Sequence, residues 1–227
     1  MHLKNKVVVI TGGSEGLGKE MAKSLVNERA KVIIVARTKE KLDRTAKEIG
    51  ASSYVCDVTN EKQITIMTKK IINDFGKIDI WVNNAGIWLP HTSIEEMDLK
   101  RVHKIMEVNL FGTIHGSKAA LLNNAKVIIN ILSVSALSGR PYSSGYCASK
   151  YAALGFTNSL REEAKDRKVK VLSVFPGGMK THLFDEEKHS DYANFMDPSF
   201  IAEKIVNNLK QDTPKEELII RRKSFPS

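Results

Sequence analysis

Apolar, β-branched runs recur along the chain with amphipathic stretches between them. The runs are VVVIT (7–11), KVIIVA (31–36), SYVC (53–56), IDIWVNN (78–84), KVIINILS (126–133), VKVLSVF (169–175) and ELIIR (217–221). Segments near 16–28, 39–48, 61–75, 99–123, 146–167 and 198–210 carry a helical pattern instead. Near-continuous apolar strands alternating with helices predict a parallel sheet covered on both faces. Two helix starts carry end signals: Ser93 with Glu96 reads as a capping box, and Asp197-Pro198 as a cap followed by proline at the first helical position. No internal repeat, low-complexity tract or linker interrupts the pattern. The expected architecture is α/β, a single doubly wound domain over 1–227 with a seven-stranded, mainly parallel sheet.

The length of 227 residues suits one such domain, and 42% hydrophobic with 27% charged residues is ordinary for a globular protein. The opening, MHLKNKVVVITGG, passes from a basic hexapeptide into an apolar run too short for export or membrane spanning, so a cytoplasmic location and no membrane partner are expected. Two cysteines, Cys56 and Cys147, make no disulfide framework. The net charge of +9 comes from 35 Lys+Arg against 26 Asp+Glu, and most of these cations are interleaved with acids on helical segments. Only RRK (221–223) is compact, which argues against a nucleic-acid partner and for a mild attraction of anionic ligands. His91, His103, His115, His182 and His189 match no metal spacing, so no metal is expected.

The first strand runs directly into TGGSEGLG (11–18), which opens a helix. Glycines here allow a tight turn, close backbone approach to a pyrophosphate and close helix–strand packing, while the helix N-terminus offers free N–H groups to phosphate. The spacing is Gly-x-x-x-Gly-x-Gly. Further along, GYCASK (145–150) sets Tyr146 four residues before Lys150, on one side of a helix. Spacing alone leaves this open between a reacting pair and two solvated side chains.

TGGSEGLG, NNAG (83–86), Asn109 within VNLFG, Ser133 at a strand end, YCASK (146–150) and PGGMKT (176–181) occur in that order. Together, over essentially the whole chain, they resemble the short-chain dehydrogenase/reductase family. The resemblance implies a Rossmann-type fold, a nicotinamide cofactor and reversible carbonyl–alcohol hydride transfer. It implies a catalytic set of Asn109, Ser133, Tyr146 and Lys150, with Lys150 also on the cofactor ribose. Ser133 is selected from five nearby serines by lying thirteen residues before Tyr146, with Ser135 as the fallback; Leu132 replaces the first serine of the usual pair. A phenol near its ordinary pKa of ~10 is a poor base, and a lysine one turn away is expected to bring Tyr146 closer to neutral pH. The resemblance further places the cofactor against Gly12, Ser14, Glu15, Gly16, Leu17 and Gly18. It continues over Arg37, Thr38, Asp57, Val58, Asn84, Ala85, Gly86, Tyr146, Lys150, Pro176, Gly177 and Thr181. Asp57 reads equally as a helix N-terminal acid. The chain between Asn109 and Ser133 is a few residues shorter than is usual, which predicts a trimmed loop near Asn123-Asn124.

After the second strand, Ala36 stands where an NAD site needs an acid for the ribose 2′-hydroxyl, and Arg37 follows. Arginine suits a 2′-phosphate, so NADP(H) is expected over NAD(H), with Glu15 opposing unless it turns outward. The substrate wall is expected from Ile87–Pro90, residues 135–142, Met179 and the short segment 182–196, with Ser133, Trp88, Tyr142 and Met179 as contacts. Its apolar character suits a ketone, aldehyde or 3-oxoacyl chain. The helical segments 99–123 and 146–167 resemble those by which family members pair into dimers and tetramers, and Ala152, Leu154, Phe156 and Leu160 leave more than a core stripe to bury, so a homodimer or homotetramer is expected. Two other readings stay open: an NAD-dependent alcohol dehydrogenase of the same family, and an NADP-sensing regulator without turnover.

Overall fold

A computed structural model describes residues 1–188 and 190–222; His189 and Lys223, the last residue of the RRK run, lie outside the described residues. Seven strands form one sheet: β1 (Val7–Thr11), β2 (Lys31–Ala36), β3 (Ser52–Val55), β4 (Ile80–Asn83), β5 (Val127–Ile131), β6 (Lys170–Pro176) and β7 (Glu217–Ile220). Their spatial order is β3-β2-β1-β4-β5-β6-β7, and every pairing is parallel. Register follows the apolar runs, with Val8 opposite both Val32 and Ile80. The order reverses direction between β1 and β4, which opens a crevice at the carboxyl ends of those two strands.

Strand alternation sends side chains to two separate cores. Val8, Ile10 and Ile34 pack under α1 (Gly16–Asn27), α2 (Lys39–Ile49) and α7 (Pro198–Lys210). Val7, Val9, Ile33 and Val35 pack under α3 (Glu61–Phe75), α5 (Gly112–Leu122) and α6 (Ser144–Ala164). Burial on both faces explains why the runs are continuously apolar rather than alternating.

Three local expectations are corrected. The pattern over 99–123 is not one helix: α4 (Leu99–Met106) passes through a π turn (Glu107–Phe111) into α5. The Ser93/Glu96 box caps nothing, because α4 starts at Leu99 and Asp98 accepts from the Lys100 N–H at 2.9 Å. Residues near Ser93 are held elsewhere, the Thr92 N–H donating to the Tyr142 carbonyl at 2.9 Å. Leu160 is 4% exposed and belongs to the core under α6, not to an outer face. The Asp197-Pro198 signal holds, with the Asp197 carboxylate accepting from the Ser199 N–H at 2.8 Å. Between α5 and β5 the chain turns within four residues, Asn124 taking a left-handed φ of 56°.

Candidate active site

The glycine loop is built by contacts that only glycine permits. Gly12 has a φ of +65°, and a Cβ there would stand 2.8 Å from the Ala85 Cα. A Cβ on Gly18 would meet the Gly12 carbonyl oxygen at 2.2 Å, so the first turn of α1 lies directly on the loop. Asn84 clamps the same loop, its amide donating to the Thr11 and Gly12 carbonyls at 2.9 and 3.1 Å. Its neighbour Asn83 turns the other way, into the core. There it accepts from the Trp81 indole at 2.8 Å and donates to Ser117 and Asn130 at 3.0 and 2.8 Å.

A cavity of about 600 Å³ runs from this loop to Met179 and Leu183. One end is lined by Glu15, Gly16, Arg37, Thr38 and Asp57. Its middle is lined by Asn84, Ala85 and Gly86, and its other end by Trp88, Tyr146, Lys150, Met179 and Thr181. Asp57 does not cap α3; Asn60 does, accepting from the Gln63 N–H at 3.0 Å. Burial works to raise the Asp57 carboxyl, but the backbone and hydroxyl of Thr59 donate to it, and with the nearby Arg37 charge they hold it below its ordinary value.

Tyr146 and Lys150 share one face of α6. Lys150 is buried, its Nζ donating to the Ile131 carbonyl at 3.2 Å and lying 5.9 Å from the Tyr146 ring centroid. Burial brings its ammonium down from 10.5 to about 8. The Tyr146 phenol goes the other way, pushed up to about 12 by burial, against a lowering by the Ser133 hydroxyl. The expectation that Lys150 draws Tyr146 toward neutral pH is not met in this structure: burial dominates, and the opposing contributions come from the Ser133 hydroxyl and the Arg140 charge. A neutral phenol beside a serine hydroxyl is set up as a proton donor.

Ser133, 8% exposed, sits in extended backbone just past β5, and its Oγ accepts from the Ser135 N–H at 3.1 Å. Asn109 lies in the π turn. Its carbonyl oxygen accepts from the Ile87 N–H at 2.9 Å, and its amide donates to the Ile87 carbonyl and the Ser149 hydroxyl, both at 3.0 Å. It thus ties the loop after β4 to α6.

Several expected residues stand off the cavity wall. Gly18 and Asn109 pack behind it, and Ser133, Pro176 and Gly177 do not line it. Tyr142 is displaced further: at a left-handed φ of 60° it is 65% exposed and lies outside the cavity. Lys41, Val108 and Ile131 line the cavity without having been singled out from the sequence. Thr181 meets the glycine loop, its methyl 3.2 Å from where a Gly16 Cβ would stand. The segment after it folds over the site through a ring cluster, Phe184 standing 5.2 Å from Trp88 and 5.4 Å from Phe195. An ion pair from Glu186 to Arg101, and the His91 backbone N–H donating to the Glu187 carboxylate at 2.9 Å, fix its outer edge.

A sequence profile of the short chain dehydrogenases matches residues 6–191. The chain belongs to the short-chain dehydrogenase family. It is 31% identical to an uncharacterised oxidoreductase of Staphylococcus saprophyticus, with 98% of both chains covered. It is 34% identical to a 3-oxoacyl-[acyl-carrier-protein] reductase of Haemophilus influenzae, over 85% of this chain and 83% of that one. The fold superposes on an alcohol dehydrogenase from Thermococcus sibiricus, complexed with 5-hydroxy-NADP, with a TM-score of 0.88 at 28% identity. That match covers 98% of this chain and 99% of that one. As a short-chain dehydrogenase the protein is an oxidoreductase using a nicotinamide cofactor and a small-molecule substrate. The glycine cradle fits such a cofactor: its close backbone approaches leave no room for a Cβ at Gly12 or Gly18. Among the described residues no cluster suited to a metal ion occurs, and no helix is long and apolar enough to cross a membrane.

Proposed function

We propose that the protein is an NADPH-dependent carbonyl reductase, acting on an apolar ketone, aldehyde or 3-oxoacyl substrate. The observation that carries this reading is the neutral Tyr146 phenol beside Ser133, at the end of the cavity opposite Arg37. Gly12, Gly16 and the N-terminus of α1 would hold the pyrophosphate, Asp57 and Val58 the adenine side, and Asn84, Ala85, Gly86, Pro176, Gly177 and Thr181 the rest. Lys150 would take the ribose hydroxyls. Once bound, the cofactor supplies the hydride. Tyr146 donates its proton to the substrate oxygen as charge develops there, and Ser133 donates a second hydrogen bond to the same oxygen. Asn109 acts on Ile87 and Ser149, keeping the floor of the site and α6 in register. Trp88, Met179 and Leu183 give the substrate an apolar wall, consistent with the 3-oxoacyl reductase among the relatives.

Ala36 in place of an acid and Arg37 beside it support NADP(H) over NAD(H), as does the 5-hydroxy-NADP in the Thermococcus sibiricus structure. A screen of ketones, aldehydes and 3-oxoacyl thioesters, following oxidation of NADPH and of NADH, tests the reading. The expected result is turnover with kcat/KM clearly higher for NADPH. Preference for NADH would instead make the protein an NAD-dependent dehydrogenase. Tight cofactor binding without turnover on any carbonyl would favour the regulatory reading.

Phe111 and Tyr151 are exposed on the π turn and α6, which pack together. With half-buried Leu154 and Phe156 on α6 they support a homodimer or homotetramer.

A further inference from the structure

Glu15 faces the end of the cavity where the NADP reading puts the 2′-phosphate, and a bare carboxylate there would repel it. In the structure the carboxylate is paired with Lys41. Lys41 is the third residue of α2, a position where a cation works against the positive end of the helix dipole unless an anion lies close. Its neighbour Lys39 is engaged within the helix, with Asp43. Lys41 instead reaches out to the glycine loop and lines the cavity. Further contacts hold the glycine loop and α1 against β2 and α2. The Thr45 hydroxyl of α2 donates to the Ser14 carbonyl at 2.8 Å, the Gly13 N–H donates to the Val35 carbonyl at 3.2 Å, and Lys19 of α1 pairs with Glu48 of α2. Thr38, ahead of α2, makes no side-chain cap and leaves the first-turn N–H groups of the helix uncapped by it.

The charged groups along this end of the cavity are Glu15, Arg37, Lys41 and Asp57, and Asp57 is occupied by Thr59. We propose that Lys41 is a second cation for the 2′-phosphate of NADP(H), alongside Arg37, and that Glu15 is its exchangeable counter-ion. The pair is well exposed on both sides, at 43% and 41%, and ion pairs so exposed are weak. A phosphate dianion at the helix N-terminus takes Lys41 over, because it carries more charge and gains the first-turn N–H groups as well. Glu15 then rotates outward into solvent. With NAD(H), no dianion arrives, and Glu15 stays tied to Lys41 rather than free to accept from a ribose hydroxyl. Discrimination thus comes from an exchange of partners at Lys41, in a site whose loop carries an acid.

This inference rests on the NADP reading, and the test separates the two. Adenosine 2′,5′-bisphosphate and 5′-AMP are titrated calorimetrically against the wild type, Lys41→Ala, Glu15→Gln and the double variant, beside steady-state NADPH and NADH kinetics. Lys41→Ala is expected to weaken the bisphosphate about tenfold, the loss of one charge-assisted contact, and not to weaken 5′-AMP, whose 2′-hydroxyl a freed Glu15 can accept from. Glu15→Gln is expected to tighten the bisphosphate, and the double variant to stay weaker than Glu15→Gln alone. If the double variant binds as tightly as Glu15→Gln, Lys41 only neutralises Glu15, and the phosphate contact is overturned. A wild type that favours the bisphosphate, with Lys41→Ala unchanged, overturns the role of Lys41 and leaves the NADP reading standing. A wild type that binds both nucleotides alike and prefers NADH removes the NADP reading itself.

Discussion

Lys150 keeps its ammonium among buried neighbours, donating to the Ile131 carbonyl, and that arrangement is costly. Its value of about 8 in the folded chain lies below its ordinary 10.5. Below pH 8 both folded and unfolded chains hold the proton, and the folded state carries the full burden of the buried charge. Between 8 and 10.5 the unfolded chain holds more protons, so this contribution to stability rises with pH. Lys150→Met is therefore expected to be more stable than the wild type at pH 7 by about 1–3 kcal/mol, with the difference vanishing near pH 10.5. Urea unfolding of both proteins at the two pH values checks this. Under the proposed mechanism, reductive kcat/KM is expected to be level below about 8 and to fall above it, as Lys150 loses its charge while Tyr146 keeps its proton. Tyr146→Phe removes the proton donor but preserves the ring, and should lower turnover by about 10²–10⁴-fold with cofactor binding kept. Retained turnover in that variant would sink the mechanism. The Tyr146–Lys150 spacing was visible in the sequence. The upward shift of the phenol was not, because burial is a property of what α6 packs against.

At the scale of elements, the π turn is the feature that periodicity missed. One extra residue per turn barely disturbs an apolar pattern, and its cause lies outside the segment. Asn109 is held by Ile87 from the loop after β4 and by Ser149 from α6. π turns recur at functional sites for this reason: they redirect one side chain within an otherwise regular helix. The Ser93/Glu96 box failed for a related reason. Its local pattern was correct, but Asp98 lay nearer the start of the apolar stripe and took the helix end. Gly116 on α5 shows how closely elements approach beneath the site: a Cβ there would stand 2.0 Å from the Asn83 Oδ1 and 2.6 Å from the Trp81 indole nitrogen. Gly116→Ala is expected to destabilise the fold by roughly 1–3 kcal/mol, through forced displacement of the buried Trp81–Asn83–Asn130 network. Chemical denaturation measures the loss, and an unchanged midpoint would mean that the network yields freely.

At the scale of the molecule, the crevice between β1 and β4 gathers residues from Gly12 to Glu186 around one cavity. The proposed oligomer belongs here too. Light scattering is expected to give two or four times the 25.3 kDa chain mass, and a Phe111→Glu/Tyr151→Glu double variant to move toward the monomer. A wild type that stays monomeric at high concentration would remove the reading of that face.

The sequence by itself determined the strand runs, most helix positions and the glycine loop, because each is written in neighbouring residues: apolar continuity, caps and the absence of a Cβ. The order of the motifs was enough for the family. Tertiary structure alone decided what depends on segments far apart meeting. It turned Asn83 into the core and Asn84 onto the loop, put Tyr142 outside the cavity, and raised the Tyr146 phenol by burial. It also brought Lys41 of α2 against Glu15 of the glycine loop, 26 residues away, and so changed the meaning of an acid that the sequence showed only as an obstacle.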